Sequence, residues 1–494
     1  MFAALSMIGG VVAALVTISV AAFTVRGVAR VLLLGQVAYW ALSYAARPLV
    51  LLWVQPQPRY GDDLADQRLA LIGFPHGISE ALRPVVFGLW VYAAVVVAYA
   101  LWARRRPSPP PVRTDPDLVR TLLAVYLIGN LGRAAALLTG QAASAGEVQS
   151  ANPVLDLVAG LGGLGSLGLI LFLRLRHART TALVLGGLLV VELVWAISIQ
   201  SKSPVMAAAL AVAIRFALLG WTRRRTLAAV GLAVVGLAGF GWLQSFKLTD
   251  EAEAAAAALD VQYPPLVQPF LSILRRFDLL QAATDAYFMG GRPWLTVDQV
   301  LTAAWESLVP ATLLSGEKLH SGTAWASQVR GSSVDMTNVS VSLAEGGISE
   351  GLVLGGHVGI VLVALFTFAL LVLSARALHS RYVLVIVLGV LVATSPVLGE
   401  RGFLGSMEVV GKGLQLAVAV WAVDLALRLL RRSPATTPTV TPAATPDVTT
   451  DVTTPVTTPA ATRDGTRDAA LPTDPADARD PGVGQPETTL GSRR

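Results

Sequence analysis

Eleven apolar runs of roughly 18–25 residues divide this chain, each long enough to cross bilayer hydrocarbon as one helix. They lie at about 2–24, 31–54, 84–104, 118–139, 154–174, 180–200, 203–221, 226–246, 351–374, 381–399 and 411–430. Inside hydrocarbon every backbone polar group must be satisfied within the segment, which confines such runs to helices. The expected fold class is all-α, a polytopic membrane helix bundle of about 11 spans. Composition agrees: of 494 residues, 54% are hydrophobic and 14% charged, against about 25% charged in a soluble domain.

The charges order the runs. Basic clusters at Arg26/Arg30, Arg104–Arg106, Arg174/Arg176/Arg179, Arg223–Arg225, Arg376/Arg381 and Arg431–Arg432 fall in every second loop, on one side. Cytoplasmic loops collect Lys and Arg, so the N-terminus is expected outside the cell membrane and the C-terminus in the cytoplasm. The first run has no basic segment ahead of it and no clear cleavage site after it, and reads as a retained span. The net charge of +6 is spread over these clusters and forms no single face, so nucleic acid is not an expected partner.

Of the outward loops, 55–83 carries Tyr60, Asp62, Asp63 and His76, and 247–350 is by far the largest. This extracytoplasmic loop is expected to be partly helical. Phe270, Ile273, Phe277, Leu280 and Ala283 share a face between Leu266 and Met289, and Val297–Leu308 predicts a second amphipathic helix. Trp294, Trp305 and Trp325 are candidate interfacial anchors. A transmembrane domain, 1–432, gives way to a Thr/Pro/Ala-rich segment, 433–494, too poor in apolar residues to offset its ordering entropy; it is expected to be a disordered cytoplasmic tail.

The chain has no cysteine, no GxxxxGK[ST] loop and no HExxH or paired histidines, so no thiolate chemistry, nucleotide-driven step, metal or cofactor is predicted. Ionisable residues within spans are costly and mark function or structure: Arg47, Arg120, Arg133, Glu192, Arg215 and Asp424. Arg120 and Arg215, near cytoplasmic ends, are expected to snorkel. Arg47 and Arg133 are expected to meet Glu192 or a bound anion.

The large loop carries Arg275-Arg276-Phe277-Asp278, then Val309 to Lys318, then Glu345 and Glu350 ahead of Gly355, Gly356 and Gly359. A polar turn, Ser201-Lys202-Ser203-Pro204, lies earlier. In these features and in its topology over roughly residues 30–425 the chain resembles the Wzy-type O-antigen polymerases, which join oligosaccharide repeat units. It departs from that family's pattern at Leu319, where proline usually follows the lysine, and at Lys202, where arginine is common.

The resemblance implies a polyprenyl-diphosphate-linked oligosaccharide as donor, a second lipid-linked oligosaccharide as acceptor, and a surface polysaccharide as product. A flippase and a chain-length regulator are candidate partners. Charge grows on the departing diphosphate, and the guanidinium fork suits phosphate oxygens. Arg275 and Arg276 are the foremost substrate-binding candidates, with Lys202, Arg292, Lys318 and Arg401 behind them; Asp278, His320 and Glu350 are candidates for the group that takes the acceptor's proton. Two alternatives stay open. A transporter of a lipid-linked sugar or anion would favour broken helices near the midplane, for which Gly160–Gly168 is a candidate interruption. A ligase-like glycan transferase shares the general layout.

Overall fold

The computed structural model describes residues 1–58, 64–106, 115–141, 152–199, 203–220, 260–310, 318–331 and 344–432, with a few isolated positions besides. Lys202, nearly all of the expected span at 226–246 and the whole tail beyond 432 lie outside the described residues. Among those described, the elements are helices and helical turns, with no strand.

In chain order they are α1 (Phe2–Thr24), α2 (Val28–Val54), α3 (Gln67–Leu71), α4 (Phe74–Arg104), α5 (Pro116–Leu138), α6 (Pro153–Phe172), α7 (Ala178–Ser198) and α8 (Ser203–Leu218). They continue with α9 (Leu271–Arg276), α10 (Leu279–Phe288), α11 (Val297–Leu308), α12 (Ser321–Ala324), α13 (Gly347–Ala377), α14 (Val383–Thr394), α15 (Val397–Glu400) and α16 (Phe403–Arg432). Among the described residues, α1, α2, α4, α5, α6, α7, α13 and α16 are each long and apolar enough to cross a membrane, and α8 and α14 are shorter apolar helices. The chain is a multi-pass membrane protein. Helix α4 begins at Phe74, ten residues before the expected start, so the last ten residues of the predicted 55–83 loop are helix.

Charged residues inside this bundle are matched to partners. Arg133 donates twice to Glu192, at 2.8 and 3.1 Å, and both are buried. Arg215 does not snorkel: it is buried and donates to the carbonyls of Ile170 (2.6 Å) and Leu173 (2.7 Å), which end α6. A cation there also opposes the negative end of the helix dipole. Arg120 is exposed and pairs with Asp117 at 3.2 Å. The glycines 160–168 do not interrupt α6. Gly162, Gly163, Gly165 and Gly168 line its contact with α5, where a Cβ on Gly129 would strike the Gly162 backbone, the close approach that small residues permit between membrane helices.

The interruptions are elsewhere. Gly355 (φ −158°, ψ 23°) and Gly356 (φ 59°, ψ −142°) break α13, and the left-handed φ at Gly356 favours a residue without Cβ. The chain reverses there. Gly351 lies against Gly359 and Ile360, and Gly347 lies beside Val363 and Thr367. In a straight helix Gly347 and Val363 would be about 24 Å apart. Helix α13 is thus a hairpin, with an eight-residue first arm, Gly347–Leu354, folded along the second. Helix α14 has only 12 residues, about 18 Å of rise and short of the ~30 Å core. The turn after it is therefore no solvated outer loop: Glu400 is buried, and the carbonyls of Leu398 and Gly399 accept from Gln36 and Trp40 of α2.

Helices α9 to α12 build a smaller unit on this end of the bundle. The expected helix over 266–289 is divided at Phe277 and Asp278 into α9 and α10. Helix α11 has the predicted bounds and starts on a capping box between Thr296 and Gln299. Trp294 and Trp325 are not anchors at an interface. They stack edge to face at 5.4 Å inside an apolar cluster with Ala282, Ala286, Val353 and Leu404. Trp305 is exposed.

Candidate functional site

Three carboxylate centres converge where the first arm of α13, the 400–402 turn and α9–α12 meet. Each depends on a local departure from regular helix. In α2 a π-turn, Leu42–Ala46, adds a residue to the winding and carries buried Tyr44 and Arg47 to this end of the bundle. Such turns recur at functional sites.

The first centre is Glu400. Arg276 donates to both its oxygens, at 2.8 and 3.2 Å. Burial works against the Arg276 charge, but Glu400 outweighs it and raises the guanidinium above its usual range. Asp278 follows on the α9–α10 break. Burial pushes its carboxyl up, Glu400 adds to the rise, and Arg47, Arg276 and Arg330 pull against it. Its Oδ1 is enclosed and accepts no hydrogen bond. Phe277, between Arg276 and Asp278, packs edge-on to Tyr39 of α2 at 4.7 Å.

The second centre joins Glu345, Glu350 and Glu408. Glu345 is fully buried; its Oε1 accepts from Ser321 Oγ at 2.9 Å and lies 3.9 Å from Arg401 Nη1, while Oε2 accepts nothing. Burial raises this carboxyl above the ordinary glutamate range, against the pull of Arg401 and Ser321. Arg401 also lies 4.0 Å from Glu408, which accepts from the Ser321 N–H at 2.6 Å. Glu350, on the first arm of α13, accepts from the N–H groups of Phe403 and Leu404. It therefore caps the start of α16, where a carboxylate meets the positive end of the helix dipole. The Gly346 N–H donates to the Glu400 carbonyl at 3.0 Å and ties the two centres together.

The third centre is Asp285, wholly buried. It accepts from Trp325 Nε1 at 3.1 Å, Arg330 Nε at 2.9 Å and Arg68, which is itself gripped by Asp66. Trp325 and Arg330 are positioned by a second π-turn, Trp325–Val329. Burial opposes the Arg68 charge, but its two aspartate partners raise it above the usual arginine range.

Next to the Asp285 centre lies a cavity of about 570 Å³ at the tip of the α13 hairpin, lined among others by Glu80, Arg83, Tyr287, Arg292, Leu352 and His357. Ala286 and Tyr287 in its wall directly follow Asp285, and Val353 accepts from Trp294 N–H at 2.9 Å.

The structure thus brings Arg276, Asp278, Glu350 and Arg401 into one cluster and places Arg292 in the neighbouring cavity. Arg275, one residue from Arg276, points to Asp260 instead, at 2.6 Å. Lys318 donates to the Val309 carbonyl; burial lowers its amine, with Lys412 adding to the effect. His320 is exposed and precedes α12. Sequence reasoning missed Asp285, Arg68 and Arg330 as site residues, and named Glu350 rather than Glu345 as a proton-accepting candidate. No sequence motif marks Asp285; only its position on the apolar face of α10, where a carboxylate is out of place, signals it. Among the described residues no group of three or more His, Cys, Asp or Glu side chains is arranged to hold a metal ion. In comparisons with known proteins, no family model, curated protein or solved structure matches the chain.

Proposed function

We propose that this protein is a membrane glycosyltransferase that joins polyprenyl-diphosphate-linked oligosaccharide units into a surface polysaccharide at the outer face of the cell membrane. The observation that supports the reading is the convergence of two enclosed carboxyls, Asp278 and Glu345, with guanidiniums, while the far end of α10 forms part of the wall of a cavity of ligand size. The reaction needs that combination. The acceptor hydroxyl attacks the donor's anomeric carbon, the bond from that carbon to the diphosphate oxygen breaks, and the lipid diphosphate leaves. A carboxylate whose proton affinity is raised is a better proton acceptor than an ordinary one. Preorganised cations stabilise the charge that develops on the diphosphate. Asp278, with one oxygen enclosed and uncommitted, is the favoured base. Glu350 is committed to the start of α16 and holds the cluster together.

The test is complementation of a deletion strain with the Asp278→Asn variant, followed by glycan length analysis. The expected outcome is an inserted protein and single repeat units. Polymer of normal length would remove Asp278 from the role.

A second reading, transport of a lipid-linked sugar or anion, gains from the interruptions in α13 and α14, because broken helices around buried charge are a transporter feature. In that case the same deletion would strand lipid-linked units on the inner leaflet, whereas loss of a polymerase leaves unextended units at the surface.

A further inference from the structure

Two carboxyls stand on one side of α10. Asp278 precedes its first turn, and Asp285 lies seven residues on, two turns and about 10 Å along the helix axis. They belong to different centres, and Arg330 reaches both. Its Nε donates to Asp285 Oδ2 at 2.9 Å, and its charge acts on Asp278. Asp285 has other donors as well: Trp325 Nε1 at 3.1 Å and Arg68.

Each side of this arrangement has an enclosed atom without a partner. Arg330 Nη2 donates to nothing among the described residues, and Asp278 Oδ1 accepts nothing. A buried donor or acceptor left unpaired is costly, and here one of each occurs on two residues that already interact. The guanidinium is a rigid planar fork, so anchoring Nε fixes the direction of Nη2. The other groups that act on Asp278 are Arg47, Arg276, Glu400, Tyr39 and Tyr44. Of the two further cations, Arg276 is committed to both oxygens of Glu400, and Arg47 donates to the Leu64 carbonyl at 3.3 Å.

We infer that Arg330 is a positioning residue for Asp278: with Nε anchored on Asp285, its Nη2 donates to Asp278 Oδ1 when that carboxyl is ionised and releases it when the carboxyl takes a proton. Asp285 is then the fixed post of the pair, and Asp278 the member that exchanges a proton. The inference rests on the polymerase reading for the source of that proton, not for the contact itself.

The test is an infrared pH titration of the purified full chain, isotopically labelled at the aspartate carboxyls, with the Asp278→Asn spectrum subtracted to isolate one band. Arg330→Gln should raise the proton affinity of Asp278 at least tenfold, one pH unit or more. Arg330→Lys keeps a cation for Asp285 but has no fork; it should raise the affinity by a smaller, measurable factor, and it carries the test alone if Arg330→Gln does not fold. Trp325→Phe removes a different donor from Asp285 and should leave the titration in place. An unchanged titration in the Arg330 variants, or an equal shift in Trp325→Phe, would show that Arg330 serves only the fold and would overturn the inference. Melting temperature does not separate these outcomes, because every one of the substitutions loosens the Asp285 centre. Glycan length is read separately: a chain whose Asp278 band responds to Arg330 yet which extends no glycan keeps the contact and loses the polymerase.

Discussion

Arg276 and Glu400 show what holds the site in place. The guanidinium makes two hydrogen bonds to a carboxylate that is almost wholly enclosed. Removing one member of a buried pair leaves the other charge uncompensated, at about 3–5 kcal/mol. Arg276→Ala should therefore lower the melting temperature of the purified protein sharply, and Arg276→Leu with Glu400→Leu should recover most of the loss; a single variant as stable as the wild type would show that the pair does not form. Glu345 gives a pH signature. Its folded carboxyl holds a proton more tightly than the unfolded one does. Its contribution to stability is then complete below the ordinary glutamate value of about 4.3 and is lost as pH rises through the elevated folded value. Asp278 acts in the same direction. In melting temperatures recorded from pH 4 upward, the wild type should lose ground to Glu345→Gln as pH rises. Parallel curves would place Glu345 in water.

At the scale of elements, the site exists because helices stop inside the bundle. Apolar length alone reads 351–374 as one straight span. The α13 hairpin is checked by a disulfide, and the chain has no native cysteine to interfere. A Cβ on Gly347 would lie 3.0 Å from Val363 Cγ1. Gly347→Cys with Val363→Cys should cross-link under mild oxidation, whereas a straight helix would hold them apart at about 24 Å. Absence of the cross-link in a well-inserted protein would contradict the hairpin. Eight of the expected spans were legible, because 18 or more apolar residues leave few alternatives, whereas the runs at 203–221 and 381–399 are shorter helices. The breaks were not. Gly355-Gly356 was visible as a pair, yet glycine is common in membrane helices, and nothing local says whether the chain kinks or turns back. Helix α11 was legible to its ends, since the capping box and the apolar face are both local signals. The division at Phe277-Asp278 was hidden, because it comes from Phe277 packing on Tyr39 and Asp278 lying near Arg47, partners over 200 positions away.

For the whole molecule, composition and charge order specified a multi-pass helical protein, but which charges would meet was settled by tertiary contacts. Arg275 and Arg276 are neighbours in sequence and have separate partners in space. Asp66, Arg68, Asp285 and Arg330 come from three distant segments and form one centre. We propose that this convergence is machinery for extending a lipid-linked glycan. The most direct measurement reconstitutes the purified full chain in vesicles with a defined lipid-linked oligosaccharide and follows product length by mass spectrometry. Products growing by whole repeat units, with lipid diphosphate released in step, are the predicted result, and Asp278→Asn should abolish them. Vesicles in which the substrate only changes leaflet, or stays unaltered while the protein remains folded, would contradict the account.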